Sequence, residues 1–201
     1  MAASVVAICN RALDLLGANP IASLEDDAAA ARWLARNWEA ARDATLAAYP
    51  WNCAMRRAVL AADAAAPAWG YALAFTLPEG PESATVPAYC LRVRAVLGGW
   101  PEPGGAPWKV EGRRILTDLT APLYVRYTAR VEDPAQFDAE LADALALRLA
   151  ADAAVAITGN AELAKAMRDA FAGVLRAARL SDAQEDTPED ATADDWLNAR
   201  L

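Results

Sequence analysis

Eight arginines, Arg56, Arg57, Arg92, Arg94, Arg113, Arg114, Arg126 and Arg130, fall within one stretch of this chain. Guanidinium groups gathered on one surface bind carboxylate or phosphate, because their planar donor fork matches both anions. Residues 54–130 hold nine basic and six acidic residues, a local charge of +3 in a chain of formal charge −8. Such a face can bind nucleic acid, or it can be the solvated outer face of a sheet. The acidic counterpart lies at the other end. Between Ser181 and Leu201, Asp182, Glu185, Asp186, Glu189, Asp190, Asp194 and Asp195 are opposed by Arg200 alone, leaving a near-neutral body and an acidic tail. A basic nucleic-acid footprint is therefore missing at the scale of the whole chain, whereas an acidic tail and a basic sheet can pair between subunits.

Little else in the composition points to catalysis. Histidine is absent, which removes Ser-His and Cys-His nucleophiles, HExxH zinc chemistry and imidazole proton shuttling together. Cys9, Cys53 and Cys90 are scattered and odd in number, against both a disulfide framework and a paired-cysteine metal site. Gly98-Gly99 and Gly104-Gly105 lack dinucleotide-binding or P-loop spacing. Adjacent carboxylates occur at Glu25-Asp26-Asp27, where they suit a helix start, and in the tail, where exposure keeps their pKa ordinary. No catalytic, cofactor or metal residues are assigned. The N-terminus has neither a basic region nor a long apolar run, so no signal peptide is expected, and no stretch of about 18 or more apolar residues occurs, so no membrane-spanning helix is expected.

The elements that must position the arginines turn on Pro50-Trp51-Asn52. Before this point the chain reads as helix and after it as strand. Proline disfavours helical geometry at Tyr49 and lacks an N–H, Trp51 is a core plate with one donor to satisfy, and Asn52 can bond its own backbone to hold the turn. Ser4 caps a first helix to about Leu16, ended by Gly17 and Asn19-Pro20. A second helix opens at Ser23 or the acidic triplet and runs to Ala48, with a buried stripe of Ala30, Trp33, Asn37, Ala41 and Ala44 or Thr45. Strands are expected at 55–60, 71–77, 89–97, 108–110, 113–117 and 123–131, with a hairpin turn at Glu111-Gly112. In the last strand Val125, Tyr127, Ala129 and Val131 take one face and Tyr124, Arg126, Thr128 and Arg130 the other. Two long loops, 78–87 and 98–107, are rich in turn formers. Helix returns at Asp133-Pro134 with a stripe of Phe137, Leu141, Ala144 or Leu145, Arg148 or Leu149, and Asp152, and stops at Gly159. Asn160 caps the last helix, whose stripe is Leu163, Met167, Ala170 or Phe171, Val174 and Ala178.

The expected class is α+β: about four bundled helices (1–51 and 133–180), an antiparallel β insertion between the second and third helices (52–132), and an extended acidic C-terminal arm (181–201). Alanine-rich helices suit close lateral packing. Seven tryptophans against three phenylalanines suit interfaces. At the arm's tip, Asp194-Asp195-Trp196-Leu197 and Arg200 form a candidate anchor for a partner.

An ordered series of residues resembles the tail tubular protein A family, the head-to-tail adaptors of short-tailed bacteriophages. It runs through Asn10-Arg11-Ala12-Leu13, Leu16-Gly17, Ile21 and Ser23-Leu24. It continues in Arg42-Asp43, Leu46, Tyr49-Pro50-Trp51-Asn52, Ala54, Arg57-Ala58 and Leu60, then Trp69-Gly70-Tyr71, Leu77-Pro78 and Cys90-Leu91-Arg92-Val93. Trp108, Val110-Glu111-Gly112, Ile115-Leu116-Thr117-Asp118, Tyr127-Thr128, Phe137, Leu145-Ala146, Arg148-Leu149-Ala150, Trp196 and Ala199-Arg200 complete it. No single motif is specific; the order over nearly the whole chain is. This chain departs from the family by inserting Glu79 to Tyr89 between Leu-Pro and Cys-Leu-Arg-Val.

The resemblance implies a non-enzymatic virion protein at the head–tail interface, made in the host cytoplasm and needing no cofactor. It would form a homo-oligomeric ring, a dodecamer, between the portal protein and the tail nozzle or tube. The helices would build the wall, the β insertion would project toward tube or fibres, and the arm would reach a neighbour or the portal. DNA would pass through the channel without specific binding, since a net-negative ring does not hold phosphate. Arg42, Asp43, Pro50, Trp51 and Asn52 become the structural hinge between wall and insertion. Two other classes compete: a nucleic-acid-binding regulatory protein using the arginine-rich segment, and a small hydrolase or transferase, against which the missing histidine and missing acid pair weigh.

Overall fold

The computed structural model describes residues 4–80, 88–99 and 106–185, with backbone alone for 180–185. It is an α+β fold of four helices and two small antiparallel sheets. Helix α1 (Val5–Leu15) starts at Ser4, whose hydroxyl accepts from the Ala7 N–H at 3.1 Å. It ends at Gly17 in the left-handed region (φ +65°), where the Ala18 N–H closes back on the Leu13 carbonyl. The Asn10 side chain then clamps the returning chain, bonding both the N–H and the carbonyl of Ile21 at 2.8 and 2.9 Å.

Helix α2 (Ala29–Ala48) begins later than the acidic triplet predicts. The Asp26 carboxylate is already engaged, accepting from the N–H groups of Ala22 and Ser23 at 2.7 and 3.1 Å. It closes a turn of its own instead of opening the helix. The buried face also differs, consisting of Ala31, Leu34, Trp38, Ala41, Arg42, Thr45 and Leu46. Two phases one residue apart are compatible with the pattern, and the one that buries Leu34 and Trp38 wins; Trp33 is left half-buried and Asn37 bonds its carbonyl at 2.7 Å.

Helix α3 (Ala139–Thr158) is opened by Asp138, not by Asp133-Pro134. Asp133 instead caps a separate 3₁₀ turn at Pro134–Gln136, because its carboxylate accepts from Ala135. Helix α3 packs against α1, α2 and α4, so it is apolar over far more than one stripe: Ala144, Ala146, Ala150, Ala151, Ala153 and Ala154 are all buried beside Leu141, Leu145 and Leu149. Arg148 and Asp152 pair with each other at 2.6 Å on its outer side, so Asp152 leaves the expected stripe. Gly159 (φ +69°) and Asn160 turn the chain into α4 (Ala161–Glu185), which runs beyond the expected end at Leu180.

Between α2 and α3 lie β1 (Met55–Leu60), β2 (Leu73–Thr76), β3 (Cys90–Leu97), β4 (Trp108–Glu111), β5 (Arg114–Thr117) and β6 (Leu123–Ala129). They form two three-stranded sheets, ordered β1-β6-β3 and β2-β5-β4. The inward faces share one core, with Ala58, Leu60, Val96, Val125 and Tyr127 meeting Phe75, Leu77 and Ile115. The β4–β5 hairpin turns at Gly112-Arg113, one residue later than expected, since Glu111 pairs with Arg114. Gly112 takes φ +59° there, with positive φ at the first turn position only. On β6 the expected inner face is buried, and so is Thr128 of the outer face. It is covered by Arg94, which donates to its hydroxyl at 2.7 Å, and by Met55.

Candidate functional site

A third apolar cluster joins helices to sheets. Trp51, Tyr49, Leu46 and Ala54 pack there with Val131 after β6, Leu141 and Ala144 of α3, and Ala178 of α4. Trp51 is 2% exposed, and its indole N–H donates to the Thr45 carbonyl at 2.9 Å. That carbonyl lies in the last turn of α2, where no intrahelical donor is left for it once Pro50 has stopped the helix. Tyr49 meets Trp51 edge to face at 4.9 Å and donates its hydroxyl to the Ala178 carbonyl at 2.9 Å. One helix end thus fixes one tryptophan, and the tyrosine beside it fixes a second helix. The exposed Asn52 side chain makes none of these bonds; the turn after Trp51 is closed by backbone, Ala54 N–H to the Trp51 carbonyl and Met55 N–H to that of Asn52.

Charge ties the same seam. Asp43 accepts from Arg42 at 2.9 Å on one oxygen and from Arg130, at the end of β6, at 2.7 and 2.9 Å on the other. The Arg42 side chain is 7% exposed, so this carboxylate is what makes its charge tolerable inside the protein. Arg94 donates to the Ala47 carbonyl at 3.0 Å, satisfying another free carbonyl at the end of α2. Tyr89 lies between two guanidiniums, Arg113 at 4.2 Å and Arg130 at 4.3 Å from its ring centre. Arg113 also bonds the carbonyls of Cys90 and Pro78. The adjacent arginine–aspartate pair at the core phase of α2 was the available signal for this bridge; Arg130, 87 residues on in sequence, was readable only as one more basic side chain.

Below Pro50 and Asn52 opens a cleft of about 580 Å³, lined by Met55, Arg56, Arg57, Arg94 and Arg126. Arg57 of β1 and Arg126 of β6 are directly opposed in the ladder. Arg94 joins them because the β3 register slips between Val93 and Ala95, a bulge that re-aims the side chain. Burial, together with the neighbouring Arg92, pulls the Arg94 guanidinium below its ordinary value. Among the described residues no carboxylate lines the cleft, and none pairs with Arg57, Arg94 or Arg126.

The structure therefore brings Arg42, Asp43, Pro50, Trp51 and Asn52 into or beside one seam. Asp194, Asp195, Trp196, Leu197 and Arg200 lie outside the described residues, as does most of the inserted segment 79–89. The cysteines are poor nucleophiles: burial pushes Cys9 up to about 12, and Cys53 and Cys90 up to about 11. Among the described residues no three acidic or cysteine side chains converge on a metal-sized site, and no helix is long and apolar enough to cross a membrane. In comparisons with known proteins, no family model matches the chain and no curated protein matches it.

Proposed function

We propose that this chain is a structural virion protein, a head-to-tail adaptor that assembles as a ring between portal and tail tube or nozzle and forms part of the DNA channel. The observation that carries the reading is where the resemblance falls. Its densest run, from Arg42 to Leu60, supplies the last turns of α2, the seam and β1, and Arg42, Asp43, Leu46, Tyr49 and Trp51 of that run are packed or bonded there. Alanine-faced helices on one side of the seam and a compact β module on the other suit a wall with a projecting domain. Trp69, 86% exposed, and Val59, 60% exposed, give the β module apolar groups free for contact.

The arginine cleft is the observation that favours the second reading, a nucleic-acid-binding regulator. Electron microscopy of the purified protein, alone and mixed with the portal protein of the same phage, separates the two. Rings seated on the portal are expected. A protein that ignores the portal but shifts labelled DNA in a salt-dependent manner would overturn the adaptor.

A further inference from the structure

Strand β4 is the open edge of its sheet: in the order β2-β5-β4, no strand among the described residues lies on its far side. The register of the hairpin tells which backbone groups face that edge. The Leu77 N–H bonds the Arg113 carbonyl, so the odd-numbered residues of β5 turn their polar groups toward β2. The even-numbered ones, Arg114 and Leu116, turn theirs toward Glu111 and Lys109 of β4. The N–H and carbonyl groups of Trp108 and Val110 therefore point outward from the edge.

All four residues of β4 are exposed. Trp108 and Val110 share a face with their ladder partners Thr117 and Ile115, which are buried, yet are themselves 37% and 40% exposed. The apolar inner face of this sheet thus runs on past the core that covers it. Lys109 and Glu111 take the other face and pair with each other at 2.7 Å. An edge of this kind is a template for a further strand, and a lone lysine is one device that blunts it. Here the lysine is balanced two residues on, so the strand is complementary in charge to an antiparallel copy of itself.

We propose that β4 pairs antiparallel with β4 of a second copy of this chain, about a two-fold axis at Val110, joining two three-stranded sheets into one. In that register the two Val110 residues form a hydrogen-bonded pair, which uses the outward groups. Lys109 of each copy meets Glu111 of the other in non-hydrogen-bonded pairs, whose Cα atoms are the closest in a ladder at about 4.5 Å. Trp108 falls opposite Gly112, where no side chain competes for the space. A slip to either adjacent two-fold register sets Lys109 against Lys109 or Glu111 against Glu111, and directly opposed like charges destabilise a ladder. Charge therefore selects both the occupant and its register. One four-residue strand covers less than the roughly 1,200–2,000 Å² of a stable interface, so the dimer is weak, with a Kd of roughly 10 μM to 1 mM. A two-fold contact closes on two copies, whereas a ring repeats a heterologous one, so the inference goes beyond the adaptor reading and does not depend on it.

Sedimentation equilibrium of the full chain from about 10 μM to about 1 mM tests this. The mass should rise from 21.3 kDa toward twice that value. Lys109→Glu and Glu111→Lys each set like charges face to face, and each should weaken the dimer about tenfold or more. Mixed in equal amounts, the two variants should regain the affinity of the unaltered chain, because each then meets its opposite. Both side chains are exposed, so neither change threatens the fold. Val110→Pro removes an outward N–H while leaving the bonds to β5 in place, and should abolish association. A chain that stays monomeric at about 1 mM, association indifferent to the charge reversals, or a pair of variants that does not recover on mixing overturns the proposal. Growth past the dimer that ignores the reversals belongs to a different contact and overturns it too.

Discussion

Replacing Trp51 by alanine tests the seam at its centre. The side chain is almost fully buried, and a buried aromatic of this size removes about 150–250 Å² from water. At roughly 25 cal/mol per Å² that is about 4–6 kcal/mol, to which the indole bond to Thr45 adds about 1 kcal/mol. Partial collapse of three surrounding helices and the strand end recovers some of this, and tryptophan-to-alanine changes in cores cost about 3–5 kcal/mol. About 4 kcal/mol is a large part of a domain's total stability of about 5–15 kcal/mol. For a chain of this length the thermal midpoint should fall by roughly 8–16 °C, at about 2–4 °C per kcal/mol. Circular dichroism melts of Trp51→Ala beside Trp69→Ala measure it, since Trp69 is, among the described residues, the most exposed large apolar side chain and should leave the midpoint unchanged. Equal midpoints for the two variants would refute the placement of Trp51 as the plate between helices and sheets.

Two further outcomes follow from charge at the seam and from the buried thiols. Asp43→Ala leaves the buried Arg42 guanidinium without its carboxylate, and should cost about 3–5 kcal/mol in urea unfolding, whereas Arg130→Gln, acting on a side chain 30% exposed, should cost about 1 kcal/mol or less; similar losses for both would mean that Arg42 reaches water. Cys9 and Cys90 ionise in the folded chain only near 12 and 11, against 9.0 when unperturbed, so between these values the folded state holds protons that the unfolded state has lost. Stability is thus full below about pH 9 and falls above it, by up to about 1.4 kcal/mol per pH unit for each thiol. Cys9→Ala/Cys90→Ala should flatten that alkaline slope in urea titrations at pH 8 to 10.5, and an unchanged slope would refute the assignment to these thiols.

Strand positions were legible because a half-buried antiparallel strand writes its period directly into the sequence: Met55–Leu60 is observed as read, and the other strands fall within two residues of expectation. What the pattern could not supply was pairing. Nothing in six short strands says that β6 sits between β1 and β3 while β5 sits between β2 and β4, because that choice is made by side chains meeting across the two inner faces. Helix phase was ambiguous in α2 because Trp33 and Trp38 favour different faces, and tertiary packing settled it. The Asp133 and Asp26 errors share one cause. A short carboxylate caps whatever N–H groups curl toward it, so Asp, unlike proline or glycine, marks a turn without marking which element follows.

The arginines show the same gap between composition and placement, with a consequence for function. Read as a group, eight of them suggest one broad anion-binding face. In the fold most are already engaged: Arg130 with Asp43 and Tyr89, Arg113 with two carbonyls and Tyr89, Arg114 with Asp63, Arg92 with Ala47, and Arg56 with the carbonyls of Cys53 and Met55. Arg94 spends its polar edges on Thr128 and Ala47, which aims it without neutralising it. Among the described residues, Arg57 and Arg126 have no side-chain partner and are held by the ladder. A surface of two or three uncompensated guanidiniums releases about that many counterions from DNA, a salt slope of roughly −2 to −3. That is too few for a nucleic-acid regulator of ordinary affinity, so the placement of the arginines weakens the regulator reading that their number suggests.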